Sequence, residues 1–145
     1  MKFPKLKFLK FWFPALSYSA IIFLVSGLPN VQVPEQFPLT DKIVHVFEYS
    51  LLGILVARAL LNTTPWTRRI VFLVAIMVCF LYGLTDEYHQ SFVPGRDSSI
   101  FDALADFFGA NIGAGVYLLI LSKYFKAIRH SREGGLRKHD TNQTI

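Results

Sequence analysis

Charge is scarce in this chain: Asp, Glu, Lys and Arg together make up 17% of the residues, against a hydrophobic fraction of 52%. A soluble domain needs more polar surface than that, so a water-exposed globule is excluded. Cysteine is nearly absent. The one thiol, Cys79, lies inside an apolar run, which rules out an intramolecular disulfide and any cysteine metal site. No internal repeat and no low-complexity tract interrupts the 145 residues, enough for one domain. What the chain does have is long apolar runs, a mean hydropathy of +0.39 and a net charge of +5. The cations cluster beside those runs, a distribution that suits orientation against a membrane rather than nucleic-acid binding. The class is integral membrane protein, with the lipid bilayer as partner and no nucleic acid.

Four apolar segments stand out: Phe11 to Leu28, Ile43 to Leu61, Ile70 to Thr85 and Ile100 to Ser122. Each is long enough to span a bilayer, which takes about 20 residues, once flanking turns are counted. Gly27-Leu28-Pro29 is a stop for the first. Thr40 is positioned as an N-cap for the second, Thr64-Pro65 as cap and first helical residue for the third, and Ser98-Ser99 precedes the fourth. These signals predict an all-α, four-helix transmembrane bundle with helices at about 11–28, 41–61, 65–88 and 99–124. A basic arm (1–10) precedes the transmembrane domain (11–125), and a basic tail without periodicity (126–145), expected to be disordered, follows it. A cleaved signal peptide is the rival reading of the first segment. The run exceeds the usual h-region and no small-x-small site follows it, so a retained helix is expected.

Lys and Arg show a one-sided distribution. Thirteen of the fifteen fall in the N-terminal arm, between Arg58 and Arg69, or in the C-terminal tail; only Lys42 and Arg96 fall in the alternate loops. By the positive-inside rule both termini are cytoplasmic, and the Asn30–Thr40 and Asp86–Ser99 loops face outward.

The acidic residues show the opposite asymmetry. Glu35, Asp41, Glu48, Asp86, Glu87, Asp97, Asp102 and Asp106 are eight of the ten, all at the outward end. Asp41, His45 and Glu48 share one helix face at i, i+4 and i+7, with His45 roughly 6 Å deeper than Asp41. Glu87 and Gln90 are i, i+3, and Asp102 and Asp106 are i, i+4. Ionisable groups at such depth cost several kcal/mol facing lipid, so they are expected to face one another. Eight carboxylates against two cations cannot all stay charged in a partly dry pocket. Protonation, a divalent cation or a cationic ligand must compensate. Bland roles compete: Asp102 sits at the capping-box spacing from Ser99, Asp41 suits a helix N-terminus, and Asp86, Asp97 and Glu35 read as solvated loop charges. Gly109 and Gly113 form a GxxxG spacing suited to close packing within the bundle, with Tyr49 and Gly53 as facing positions.

The order Asp41-Lys42-x-x-His45-x-x-x-Tyr49, Glu87-x-x-Gln90, Pro94-Gly95-Arg96 and Asp102-x-x-x-Asp106-x-x-Gly109-x-x-x-Gly113 resembles the VanZ-like family. The resemblance covers roughly Asp41 to Gly115 and implies a small multi-pass protein of the bacterial cytoplasmic membrane. The family takes its name from a protein associated with low-level resistance to the glycopeptide teicoplanin. The Asp106 position is often asparagine in that pattern, which points to a difference in ligand or protonation here.

Three functions fit these residues. One is a membrane-embedded enzyme acting on a cell-envelope lipid or lipid-linked precursor. Glu87 would be its acid/base and His45 a proton partner oriented by Asp41; Arg96 and Lys42, with Gln90 and Tyr49, would hold the ligand, and Asp102 and Asp106 a divalent cation. Another is a protein that binds or shields without chemistry, consistent with the lack of a serine or cysteine beside a base. The last is a proton- or cation-coupled carrier, which four short helices suit poorly.

Overall fold

The computed structural model describes residues 4–29, 38–96 and 98–121, with 123, 124, 127 and 128. Glu35, Asp97 and the tail from residue 129 onward lie outside the described residues. Four helices form the fold: α1 (Pro4–Ser26), α2 (Pro38–Thr63), α3 (Arg68–Gln90) and α4 (Ile100–Val116), the last running into a π-helical turn at Tyr117–Leu121. No strand occurs among the described residues.

All four helices are long and apolar enough to cross a membrane. Their outer faces say the same: Phe47 is 73% exposed, Phe13 and Leu24 67%, and Leu119 66%. In water each such side chain would forgo about 1.5–3 kcal/mol of burial, whereas hydrocarbon solvates it without loss. Small residues fill the interior instead, with Ala57, Ala75, Ala110 and Ala114 fully buried.

The closest contact is between α2 and α4. Gly109 and Gly113 lie directly against the backbone of Val46 and Ser50, and a Cβ on Gly53 would stand 2.6 Å from the Ala110 carbonyl oxygen. With no side chain between them the two backbones touch, and the Ser50 hydroxyl donates to the Gly109 carbonyl at 3.0 Å.

The helix α1 is tied into the bundle along its length. Trp12 Nε1 donates to Thr63 Oγ1 on α2 (3.1 Å), and the Tyr82 hydroxyl of α3 donates to the Ser19 carbonyl (2.6 Å). The Arg58 guanidinium sits 4.9 Å from the centroid of the Phe11 ring.

Four helix boundaries differ from the sequence expectation. The helix α1 begins at Pro4 rather than near residue 11, so residues 4–10 of the expected basic arm are its first turns. The Thr64 amide and hydroxyl both donate to the Leu60 carbonyl, so Thr64 finishes α2 rather than capping α3. The N-cap of α3 is Thr67, whose hydroxyl accepts from the Ile70 amide. The helix α2 begins at Pro38, which places Thr40 inside its first turn. Ser99 does cap α4, its hydroxyl accepting from the Phe101 amide at 3.2 Å.

Candidate functional site

The up-and-down order brings the C-termini of α1 and α3 and the N-termini of α2 and α4 to one end of the bundle. The sequence-predicted ionisable residues converge there, on partners that helical spacing alone does not reveal.

His45, two turns into α2, places Nδ1 2.8 Å from Asp106 Oδ1 on α4. Both are buried, Asp106 completely. The space for the Asp106 carboxylate is made by α3: a Cβ on Gly83 would stand 2.7 Å from Asp106 Oδ2. Any larger residue at 83 would push the carboxylate out.

Glu87 on α3 is 7% exposed, and its Oε2 accepts from the Ser99 amide at 2.9 Å. A capping box would have Asp102 perform this task. Instead Glu87, from another helix, takes the Ser99 amide, and the Asp102 carboxylate turns to Lys42 at 2.5 Å. Asp41 reaches the same corner, with a carboxylate oxygen within 4.8 Å of donor atoms of His45 and Asp102.

Asp86 departs from the expectation of a solvated loop charge: it is only 2% exposed. Asp86 lies on the face of α3 turned toward α1, where Ser26 meets it. Its two oxygens accept from the Ser26 hydroxyl (2.6 Å) and from Gln90 Nε2 (2.9 Å). Gln90, expected to bind substrate, thus has its amide engaged inside the bundle. Arg96 sits apart from the His45–Asp106 pair; it donates to the carbonyls of Val25 (3.1 Å) and Leu28 (3.4 Å) at the end of α1. A cation there complements the helix C-terminus. Tyr49 is fully buried, its ring centroid 6.2 Å from that of Tyr82, and its hydroxyl has no hydrogen-bond partner among the described residues.

Two further buried oxygens lack a partner there, Glu87 Oε1 and Asp106 Oδ2. Beside Glu87, a cavity of about 190 Å³ opens between the end of α3 and the start of α4. Its wall is polar at Ser91, Ser98 and Ser99 and apolar at Leu84, Ile100 and Ala103. The neighbouring Tyr88 and Ile100 are 70% and 64% exposed on the outer surface, so the cavity opens sideways among lipid-facing residues.

Sequence reasoning missed Ser26, Gly83 and the inward turn of Asp86. A signal for two of them exists: Gly83, Glu87 and Gln90 share one helix face at i, i+4 and i+7, and Asp86 with Gln90 is an i, i+4 pair. Nothing in the sequence points Ser26 at Asp86.

No curated protein and no solved structure is significantly similar to this chain. The family comparison is positive and nearly complete, with the VanZ/LLP1 family matching residues 2–121. Four membrane-crossing helices, polar residues meeting at one end and a family match that takes in α1 make this chain a multi-pass membrane protein of the VanZ family.

Proposed function

We propose that the protein binds a cell-envelope lipid or lipid-linked precursor at the α3–α4 cavity, on the extracytoplasmic face of a bacterial cytoplasmic membrane, and acts on it. The carrying observation is Glu87 Oε1: a buried carboxylate oxygen without a partner among the described residues, at the wall of a half-polar, half-apolar cavity that opens toward lipid. A headgroup meets the polar wall while its chain stays among apolar side chains. Glu87 is the acid/base. His45 is the proton partner, oriented by Asp106, with which it is hydrogen-bonded. Lys42 and Arg96 are the cations available to an anionic group, and each already has a partner, so such a group exchanges an existing contact for a new one. The one-sided distribution of Lys and Arg supports an orientation with both termini in the cytoplasm and the cavity outside. A change in susceptibility to glycopeptides such as teicoplanin is the matching cellular phenotype.

Binding without chemistry is the second reading, favoured by the serines of the cavity. The Ser91 hydroxyl donates to the Tyr88 carbonyl and that of Ser99 accepts from the Phe101 amide, so neither is set against a base.

Native mass spectrometry of the detergent-purified protein separates the two. A co-purifying lipid that the wild type alters and Glu87→Gln retains intact supports catalysis. A lipid held unchanged by both supports binding alone. Spectra of wild type, Glu87→Gln and Arg96→Ala that carry no lipid overturn both readings.

A further inference from the structure

We propose that His45, Glu87 and Asp106 form a binding site for one transition-metal dication, zinc or manganese, where α2, α3 and α4 meet. Each residue offers one donor atom, these atoms lie within 4.8 Å of one another, and all three residues are buried. Ligands of a tetrahedral metal with bonds of about 2.0–2.2 Å stand about 3.3–3.6 Å apart, so side-chain movements of up to about an ångström complete the site.

The polar contacts already present leave this site short of partners. The carboxylates of Glu87 and Asp106 each use one oxygen, on the Ser99 amide and on His45, and each keeps a second oxygen that is buried and unpartnered among the described residues. Two buried acceptor oxygens left bare are costly, and no donor among the described residues reaches them. Lys42, on the turn of α2 before His45, is engaged by Asp102. A dication offsets two carboxylates with no net charge left over, which a single imidazolium does not. Gly83 adds a steric argument, since only a residue without Cβ leaves room for Asp106 Oδ2.

The donor set also selects the ion. One imidazole nitrogen and two carboxylate oxygens suit zinc or manganese, whereas calcium takes six to eight oxygens. Three protein ligands leave a coordination position open, the arrangement of metal sites that bind a further group. The site stands on this geometry whether or not a lipid enters the adjacent cavity; with the ion bound, Glu87 and His45 are its ligands and not a proton-transfer pair, so the ion replaces that role of the two side chains.

The sequence pairs Asp102 with Asp106 as metal ligands; the structure divides them. Asp102 belongs instead to a second arrangement with Asp41 and His45, less buried and already neutralised by Lys42.

The test uses the full chain in detergent, stripped with chelator and re-equilibrated with Zn²⁺ or Mn²⁺, followed by elemental analysis and, for Mn²⁺, electron paramagnetic resonance. The expected result is one ion per wild-type chain, undisplaced by excess Ca²⁺, with nitrogen coupling from an imidazole in the manganese spectrum. Affinity should fall at least tenfold in Glu87→Gln and Asp106→Asn and stay at the wild-type level in Asp102→Asn. Folding of each variant is checked by circular dichroism, and the nitrogen coupling tests the ligand set without any variant. A folded wild type that takes up neither ion, a manganese spectrum without nitrogen coupling, or loss of the ion in Asp102→Asn with retention in Asp106→Asn would overturn the proposal.

Discussion

Replacing Gly113 by alanine is the sharpest test of the α2–α4 contact. The added Cβ would overlap the Ser50 carbonyl oxygen outright and stand 2.6 Å from its carbon and 2.9 Å from Ser50 Cα. Ordinary carbon contacts are about 3.5–4.0 Å, and the obstacle is backbone, so α4 must move away from α2 by roughly 1 Å. Overpacking of this kind costs about 1–3 kcal/mol. Separation also weakens the hydrogen bond from Ser50 to the Gly109 carbonyl, worth about 0.6 kcal/mol in a membrane protein. Alanine returns up to about 1 kcal/mol of helix propensity, leaving a net loss of about 2 kcal/mol. At roughly 4 °C per kcal/mol for a chain of this size, Tm should drop by about 8 °C. Gly115→Ala, two residues along the same helix, is the internal control. Its Cβ would meet only Phe72 Cε2, at 3.9 Å, an ordinary contact, so its Tm should hold or rise. The single cysteine, Cys79, is fully buried and serves as the reporter, becoming reactive to a thiol dye as the bundle melts. A Gly113→Ala protein that melts with the wild type, or a Gly115→Ala protein that loses as much, would refute the backbone contact.

Three other outcomes follow from the site. Ser26→Ala removes a donor from a carboxylate that is 2% exposed, so a loss of about 1–3 kcal/mol is expected by thermal melting, partly recovered by adding Asp86→Asn. Tyr49→Phe deletes a buried hydroxyl without a described partner and should be neutral or stabilising; a loss above about 2 kcal/mol would reveal a partner. Arg96→Ala should accelerate amide hydrogen exchange severalfold at Gly27 and Leu28, where α1 ends, and unchanged exchange would show that its contacts to Val25 and Leu28 contribute nothing.

The bundle was legible because its signals are long-ranged in composition: four apolar runs, each near bilayer thickness, need no partner to be recognised. That ionisable residues such as His45, Glu87 and Asp106 gather at one end was legible too, since intramembrane charge has to face inward and the up-and-down order puts these residues there; which of them pair was not. What escaped were matters of reach across helices. Thr64 and Thr67 are equally good caps by type, and only the length of α2 decides between them. Asp86 looked solvated because its burial depends on which face of α3 is turned toward α1, and on a serine in α1 sixty residues away. The choice of Glu87 over Asp102 as acceptor for the Ser99 amide is likewise a property of packing, since the local spacing favours Asp102.

That choice makes the loop between α3 and α4 a reporter of the site. The peptide from Ser91 to Ser99 leaves α3 after Gln90 and rejoins the bundle at Ser99, where its amide is held by a carboxylate four residues before the loop began. Glu87 is therefore the latch of a small ring of chain as well as a wall of the cavity. Any group that draws its carboxylate away from Ser99 frees the Ser99 amide, and with it the end of the loop, while the Ser99 hydroxyl still caps α4, so occupancy inside the membrane would be announced by a loosened loop at its surface.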